Sequence, residues 1–377
     1  MTARKFVYCA AVLLALTILS CSPNKNGKSM IEKNLYGTLQ DGREVYQYTL
    51  TNGTGSSVKI INFGATVTTL EVPDRTGKIE DIVLGYDSLE GWVKDKNYLG
   101  VIVGRYGNRI DKGQITLEGK KIQLTVNDGT NHLHGGALGL QKRLWDAKVV
   151  NDSALELSYS SPDGEEGYPG NVRVTVTYAW TKDNELRIDY KGTTDRITIF
   201  NPTHHSYFNL TGSPANTILD QLLTIEADTI TPVDNRLIPT GKYTDVANTP
   251  MDFRTPAAIG SRINDSYEQL QYGKGYDHNW VLRNFNGKVR KIAELYEPKS
   301  GRLMTMFTDQ PGLQFYSGNF LDGSIVGKKN IPYQFRTGLC LESQCYPDTP
   351  NKPHFPTAVL KPGGPYHQTT VYQFSTR

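Results

Sequence analysis

Hydrophobic positions along this chain come in short runs of β-branched and aromatic residues, separated by polar turns. The runs are Val45 to Leu50, Val58 to Phe63, Thr66 to Val72, Gln114 to Val126, Ala154 to Ser160, Val172 to Trp180, Glu185 to Gly192, Leu222 to Ala227, Leu303 to Thr308 and Leu313 to Ser317. Gly, Pro, Asn and Asp break them, which is the pattern of antiparallel strands in a sandwich or barrel. Lys182-Asp183-Asn184 and Glu118-Gly119-Lys120 read as hairpin turns. Between Tyr36 and Phe374 there is no helix signal longer than about three turns, no internal repeat and no Pro/Gly-rich linker. An all-β chain built as one large antiparallel domain is the simplest reading.

The N-terminus has a different pattern. Arg4-Lys5 precede an almost wholly apolar segment, Phe6 to Leu19, that stops at Ser20-Cys21. The segment is short for a membrane span of about 20 residues and has the charged-then-apolar layout of an export signal. Its end, Ile18-Leu19-Ser20-Cys21, resembles a bacterial lipobox. That resemblance implies removal of residues 1–20, acylation of Cys21, and a lipidated N-terminus with a flexible tether over 21–33, ahead of a domain over 34–377. Ser22 to Ser29 holds no apolar residue to bury, as a tether requires. Nothing acidic follows Cys21, which favours the periplasmic side. The expectation is a protein of the bacterial cell envelope, anchored by lipid alone to the outer membrane and facing the periplasm.

Loss of Arg4 and Lys5 takes the formal charge from +3 to +1. A near-neutral chain has no electrostatic case for nucleic acid. Cys9 leaves with the signal, and Cys340 and Cys345, five apart on one strand, point to opposite faces and do not suit a disulfide. The remaining roughly 340 residues must rely on an apolar core, and that length suffices for one. The 22 tyrosines fit a β protein with wet hydroxyls and with rings able to stack on sugar faces.

Five of the seven histidines fall in three short clusters. In Thr203-His204-His205-Ser206-Tyr207, adjacent strand positions point opposite ways, so one imidazole faces a pocket and the other does not. Asn131-His132-Leu133-His134-Gly135-Gly136 sets two imidazoles on one face of an extended segment. His132-x-His134 has the spacing of metal ligands, but no local motif supplies the remaining ones, and no metal is expected. Gly275-Tyr276-Asp277-His278-Asn279 brings a carboxylate and an imidazole between glycine-permitted bends. Gly104-Arg105-Tyr106-Gly107-Asn108-Arg109 carries two arginines, each suited either to binding or to bracing a loop. Glu165-Glu166 reads as a solvated loop face. Glu342, in the apolar run Gly338 to Gln344, is an ionisable group that needs partners or work.

Asn108-Arg109-Ile110, Leu133-His134-Gly135-Gly136, Ser161 to Gly170, His205 to Leu210, Ile225 to Asp228, Gly275 to Asn279, Gln310 to Tyr316 and Cys340 to Gln344 resemble the ordered motifs of the aldose 1-epimerase, or galactose mutarotase, family. The resemblance spans Tyr36 to Phe374. It implies a large antiparallel β-supersandwich with a sugar cleft, and interconversion of the α and β anomers of free hexoses such as glucose and galactose, with no cofactor. It further implies that Glu342 is the base that takes the proton from O1 and His205 the acid that protonates O5. Asn108, Arg109, His134, Asp277 and Gln314 match the sugar-binding positions, with Asp277 on two adjacent hydroxyls. Opening the ring near neutrality asks for an ionised Glu342 beside a protonated His205. The chain departs from the family at His204, Gly107 and Cys345-Tyr346, none of which touches the implied chemistry. A monomer is expected.

Three other functions have weaker support. A non-catalytic sugar-binding lipoprotein gives no reason for the pairing of Glu342 with His205. A glycoside hydrolase needs two carboxylates about 5 to 9.5 Å apart, and only Asp277 with Glu342 could serve. A sugar-phosphate epimerase would need more cationic groups than Arg109.

Overall fold

Val172–Trp180 buries every second residue, Val172, Val174, Val176, Tyr178 and Trp180, while the residues between reach solvent to varying degrees. That alternation sets one face of a sheet against a core. The computed structural model describes residues 28–377, so the expected export signal and Cys21 lie outside the described residues. Within them, this strand belongs to a nine-stranded sheet in the order Asp146–Asn151, Ala154–Ser161, Val172–Trp180, Glu185–Thr194, Tyr366–Thr376, Arg302–Thr308, Arg290–Tyr296, Leu222–Ile225 and Ala257–Ala258. Every pairing in it is antiparallel.

Two five-stranded sheets accompany it. The N-terminal sheet runs in chain order through Met30–Thr38, Glu44–Thr51, Ser57–Ile61, Thr66–Pro73 and Ile79–Asp81. The other, here the cleft sheet, has the order Thr244–Asp245, Ala227–Thr231, Asp277–Leu282, Gly312–Tyr316 and Cys340–Gln344. One continuous core joins all three: Leu50 and Val58 from the N-terminal sheet, Val176, Ile188 and Met304 from the large sheet, and Trp280, Leu313 and Leu341 from the cleft sheet. Among the described residues the two α-helices are six residues each, Leu89–Lys94 and Glu268–Gly273. The structure is the antiparallel β-supersandwich expected.

Two features differ from the sequence expectation. The first strand begins at Met30 and pairs from there with Thr51, so the last residues expected in the tether belong to the N-terminal sheet. Gln114 to Val126 folds as the hairpin that the Glu118-Gly119-Lys120 turn signal predicts, Gln114–Leu117 on Lys120–Gln123. Tyr366–Thr376 lies at the centre of the large sheet although no hydrophobic run marks it. Its buried positions include Gln368, Thr369 and Thr370, and these are satisfied by neighbours: Gln368 donates to the Ser343 carbonyl and the Ser343 and Thr370 hydroxyls meet. Cys340 and Cys345 are both buried and free.

Candidate active site

The cleft sheet owes its chemistry to alternation. In Cys340–Gln344 all five residues are buried. Leu341 joins the core and Ser343 meets the large sheet, so Cys340, Glu342 and Gln344 take the opposite face. Across the ladder Glu342 is paired with Gln314, and Gln314 with Asn279. The strand Thr203–His204 pairs with Ile102–Val103. His204 points inward, with its ring centroid 6.2 Å from that of Tyr178 and 6.0 Å from that of Tyr372. His205 takes the other side and lines the cleft, as adjacent strand positions require.

Loops close over this face. Asn108 has φ 65° and His134 has φ 51°, and they lock together. The Asn108 N–H donates to His134 Nδ1 at 3.1 Å, and the His134 N–H donates to the Asn108 carbonyl at 3.1 Å. Gly135 makes the close approach possible, because a Cβ there would sit 1.8 Å from the Gly104 carbonyl oxygen. Arg109 donates from Nε to Asp128 at 2.8 Å and lies 3.6 Å from Asp277. Asp277 in turn accepts from Gln314 Nε2 at 2.7 Å.

The result is a cavity of about 240 Å³ lined by Asn108, Arg109, His134, His205, Asp277 and Glu342. His205 Nε2 is 3.6 Å from Glu342 Oε1, with the two side chains 5% and 2% exposed. The rings of His134 and His205 meet edge to face at 5.0 Å. Tyr98, at φ 60°, packs its ring 4.6 Å from His134 and 5.9 Å from His205. Behind His205, the Cys340 sulfur lies 3.5 Å from Nδ1.

Burial governs the charges. It pushes Glu342 well above the usual carboxylate range, with Asp277 adding to the rise and Arg109 opposing it. It pushes His205 down to about 4, and His134 well below the ordinary histidine value. The expected ionised Glu342 and protonated His205 are therefore not the form that the open site favours. Separating charge between two buried groups is unfavourable, and burial favours the neutral form of each. Burial also works against the Arg109 charge, but Asp277 and Asp128 more than offset it.

His134, His205 and Glu342 bring potential ligand atoms within 4.8 Å of one another. The Asn108 N–H occupies His134 Nδ1, which leaves the ring proton on Nε2. In that tautomer His134 offers a hydrogen-bond donor where a metal would need a lone pair.

Of the seven catalytic and sugar-binding positions read from the sequence, six line the cavity, and Gln314 sits one step further in, bonded to Asp277. Other expectations need correction. His132 and His134 do not share a face: the turn at His134 sends His132 to the Thr125 carbonyl and the Tyr168 hydroxyl, at 2.6 and 2.5 Å. His278 is fully buried and does not join Asp277 in the cleft. Arg105 takes the bracing role, one of the two read for it, donating to the carbonyls of Ser161, Pro162 and Pro169. Glu165 is not a solvated loop residue, because its side chain is 8% exposed and pairs with Arg143 at 2.9 Å. Tyr98, Asp128, Tyr316 and Phe320 also line the cavity and were not singled out. Asn127-Asp128-Gly129 carries a turn signal and Tyr316 ends the Gln310 to Tyr316 motif, but nothing local marks Tyr98 or Phe320 among so many aromatics.

Residues 46–373 match the family model described as aldose 1-epimerase. Galactose mutarotase of Bos taurus is 45% identical, over 84% of this chain and 91% of its own. Aldose 1-epimerase of Escherichia coli K12 is 37% identical, over 89% and 96%. Among solved structures, galactose 1-epimerase of Lactobacillus acidophilus superposes with a TM-score of 0.81 at 29% identity, covering 93% of this chain and 99% of that one. An aldose epimerase homologue from C. elegans gives 0.80 at 33%, covering 86% and 96%. With the fold, the cleft and these relatives in agreement, the chain belongs to the aldose 1-epimerase family.

Proposed function

We infer that the protein interconverts the α and β anomers of free hexoses by opening and reclosing the sugar ring. The observation that carries this reading is the pairing of His205 Nε2 with Glu342 Oε1 at 3.6 Å inside a cleft of hydroxyl-binding groups. Ring opening removes a proton at O1 and delivers one at O5, two oxygens on the same carbon. A hexose seated between the pair brings polar oxygens that solvate both groups, so the shared proton passes to His205 and Glu342 becomes a carboxylate. Glu342 then takes the O1 proton while His205 protonates O5 and the C1–O5 bond breaks. Rotation about C1–C2 in the open aldehyde and reversal of the two transfers yield the other anomer. Asp277 and Arg109 hold hydroxyls, Gln314 supports Asp277, and the Nε2–H of His134 and the amide of Asn108 donate to the sugar.

Polarimetry of freshly dissolved α-D-glucose and α-D-galactose tests this with the purified full-length protein. Wild type should speed the drift in rotation, and Glu342→Gln and His205→Asn should each lower kcat by about 10² to 10⁴-fold. A wild type that binds sugar without exceeding the buffer rate would make this a binding protein on an enzyme's fold.

The lipobox-like Ile18 to Cys21 supports a finer reading, an exported form anchored through an acylated Cys21. It would act on sugars as they are released outside the cytoplasm. Mass spectrometry of the mature N-terminus decides: an acylated Cys21 supports the reading, and an intact Met1 in soluble protein removes it.

A further inference from the structure

Beneath the catalytic carboxylate the cleft sheet hides a second polar layer that the reaction does not use directly. Gln344 is fully buried, yet neither atom of its amide has a protein hydrogen-bond partner. The same holds for Asn279 Oδ1, Gln314 Oε1, Glu342 Oε2 and Asn201 Nδ2, all in residues no more than 3% exposed. Buried polar atoms are nearly always paired, so several orphans in one place call for a cause.

The ladder brings them together. Asn279, Gln314 and Glu342 are successive partners across three strands, and the next row sets Gln344 opposite Gly312. Gly312 has no side chain because none would fit: a Cβ there would lie 2.3 Å from Asn279 Oδ1 and 2.8 Å from the Tyr346 ring, so the Asn279 amide oxygen packs directly over the Gly312 backbone. Above, Gln344 Oε1 is 3.4 Å from where a Cβ on Gly107 would be, and the Gly107 N–H donates to the Asn201 carbonyl. Acceptors outnumber donors among the orphans, and a water with two protons to give suits that imbalance.

We propose that ordered water occupies this layer, bounded by Asn279, Gly312, Gln314 and Gln344, and that through it Gln344 acts as a positioning residue for the Glu342 carboxylate. The proposal rests on the reading of Glu342 as the base. A water held by the Gln344 amide and donating to Glu342 Oε2 favours the ionised carboxylate that ring opening requires, against the burial that disfavours it. The titratable groups facing Glu342 are His205 and His134 across the cleft, Asp277 and Arg109 at its side, Cys340 on its own strand, and the phenols of Tyr207 and Tyr372. Gln344→Met leaves all of them in place.

The test joins a crystal structure with a pH profile, on the full-length protein and Gln344→Met, which keeps the side chain's length and removes its donors. Wild type should show ordered solvent within hydrogen-bond distance of the Gln344 amide; a dry gap, or a metal ion in its place, overturns the proposal whatever the activity. In kinetics, losing the water raises the free energy of every state with an ionised Glu342. The kcat plateau should fall about tenfold, the scale of one hydrogen bond to a charged group, and the alkaline limb should move up by about one pH unit, the same factor. An unchanged profile, or a loss of kcat without that shift, overturns it. If wild type proves inactive, it is the function that fails, and the crystal structure still decides on the water.

Discussion

On the acid and base roles proposed for His205 and Glu342, the one proton they share sets the pH dependence of the reaction. Uptake of a second proton is governed by His205, pushed down to about 4, and loss of the last by Glu342, pushed up by the same burial. The kcat/KM profile should therefore hold steady on acidification through the ordinary histidine range and fall only near pH 4. On the alkaline side it should fall above the ordinary carboxylate range. A loss of half the activity near pH 6.5 would show that His205 titrates like an exposed histidine. Arg109 makes a sharper case for geometry. Its fork reaches Asp128 and Asp277 together, and a lysine keeps the charge but not the two-pronged reach. Arg109→Lys should raise KM for galactose about tenfold with a smaller effect on kcat, because it loosens binding on both sides of the transition state. At this scale His205 and Glu342 stood out by residue type, whereas the roles of Asn108 and Asp277 were legible only through the family resemblance. The sequence was not legible for Tyr98, whose place beside both histidines depends on a φ of 60° and on strands far away in the chain.

Elements were readable in proportion to how much they bury on one face only. Val172–Trp180 and Glu185–Thr194 alternate clearly because their other face meets solvent. Asp277–Leu282 and Cys340–Gln344 are buried along nearly their whole length, with polar side chains on the cleft face. They carry no hydrophobic alternation: Cys340–Gln344 showed as part of an apolar run, and Asp277–Leu282 only through its site chemistry. The turn that positions His134 is the most exacting element. At Gly135, φ is 84° and a Cβ would strike the Gly104 carbonyl at 1.8 Å. Gly135→Ala should destabilise the fold by about 3 kcal/mol, read from the urea midpoint. The surviving folded fraction should be nearly inactive, since the clash pushes His134 out of the cleft. Full activity at wild-type stability would mean that the turn can open without consequence.

The whole molecule stakes part of its stability on keeping histidines neutral. His204 is fully enclosed, has no protein partner on either ring nitrogen, and is pushed down to about 3. It is neutral in both the folded and unfolded chain above about pH 6.5. Below that, the unfolded chain takes up a proton that the folded chain refuses until about pH 3, so stability falls as pH falls. Replacing it isolates its share from those of the other buried groups. Between pH 7 and pH 5, His204→Asn should lose about 2 kcal/mol less stability than wild type by urea denaturation. Equal losses in the two proteins would show that His204 is protonated in the fold.

By itself the sequence determined that the chain is built of antiparallel strands and that its histidines cluster, and through the family resemblance it nominated the residues expected to carry chemistry. Those properties are local: strand patterning has a period of two, and residue types limit the reactions they can perform. Tertiary structure alone decided that Glu342 and His205, 137 positions apart, meet at 3.6 Å, that His132 turns away from His134, and that Gln314 supports Asp277 from behind. It also decided the resting place of the proton. A pKa near neutrality belongs to a free imidazole, whereas this pair is almost fully buried, and only the assembled sheets and loops bury it.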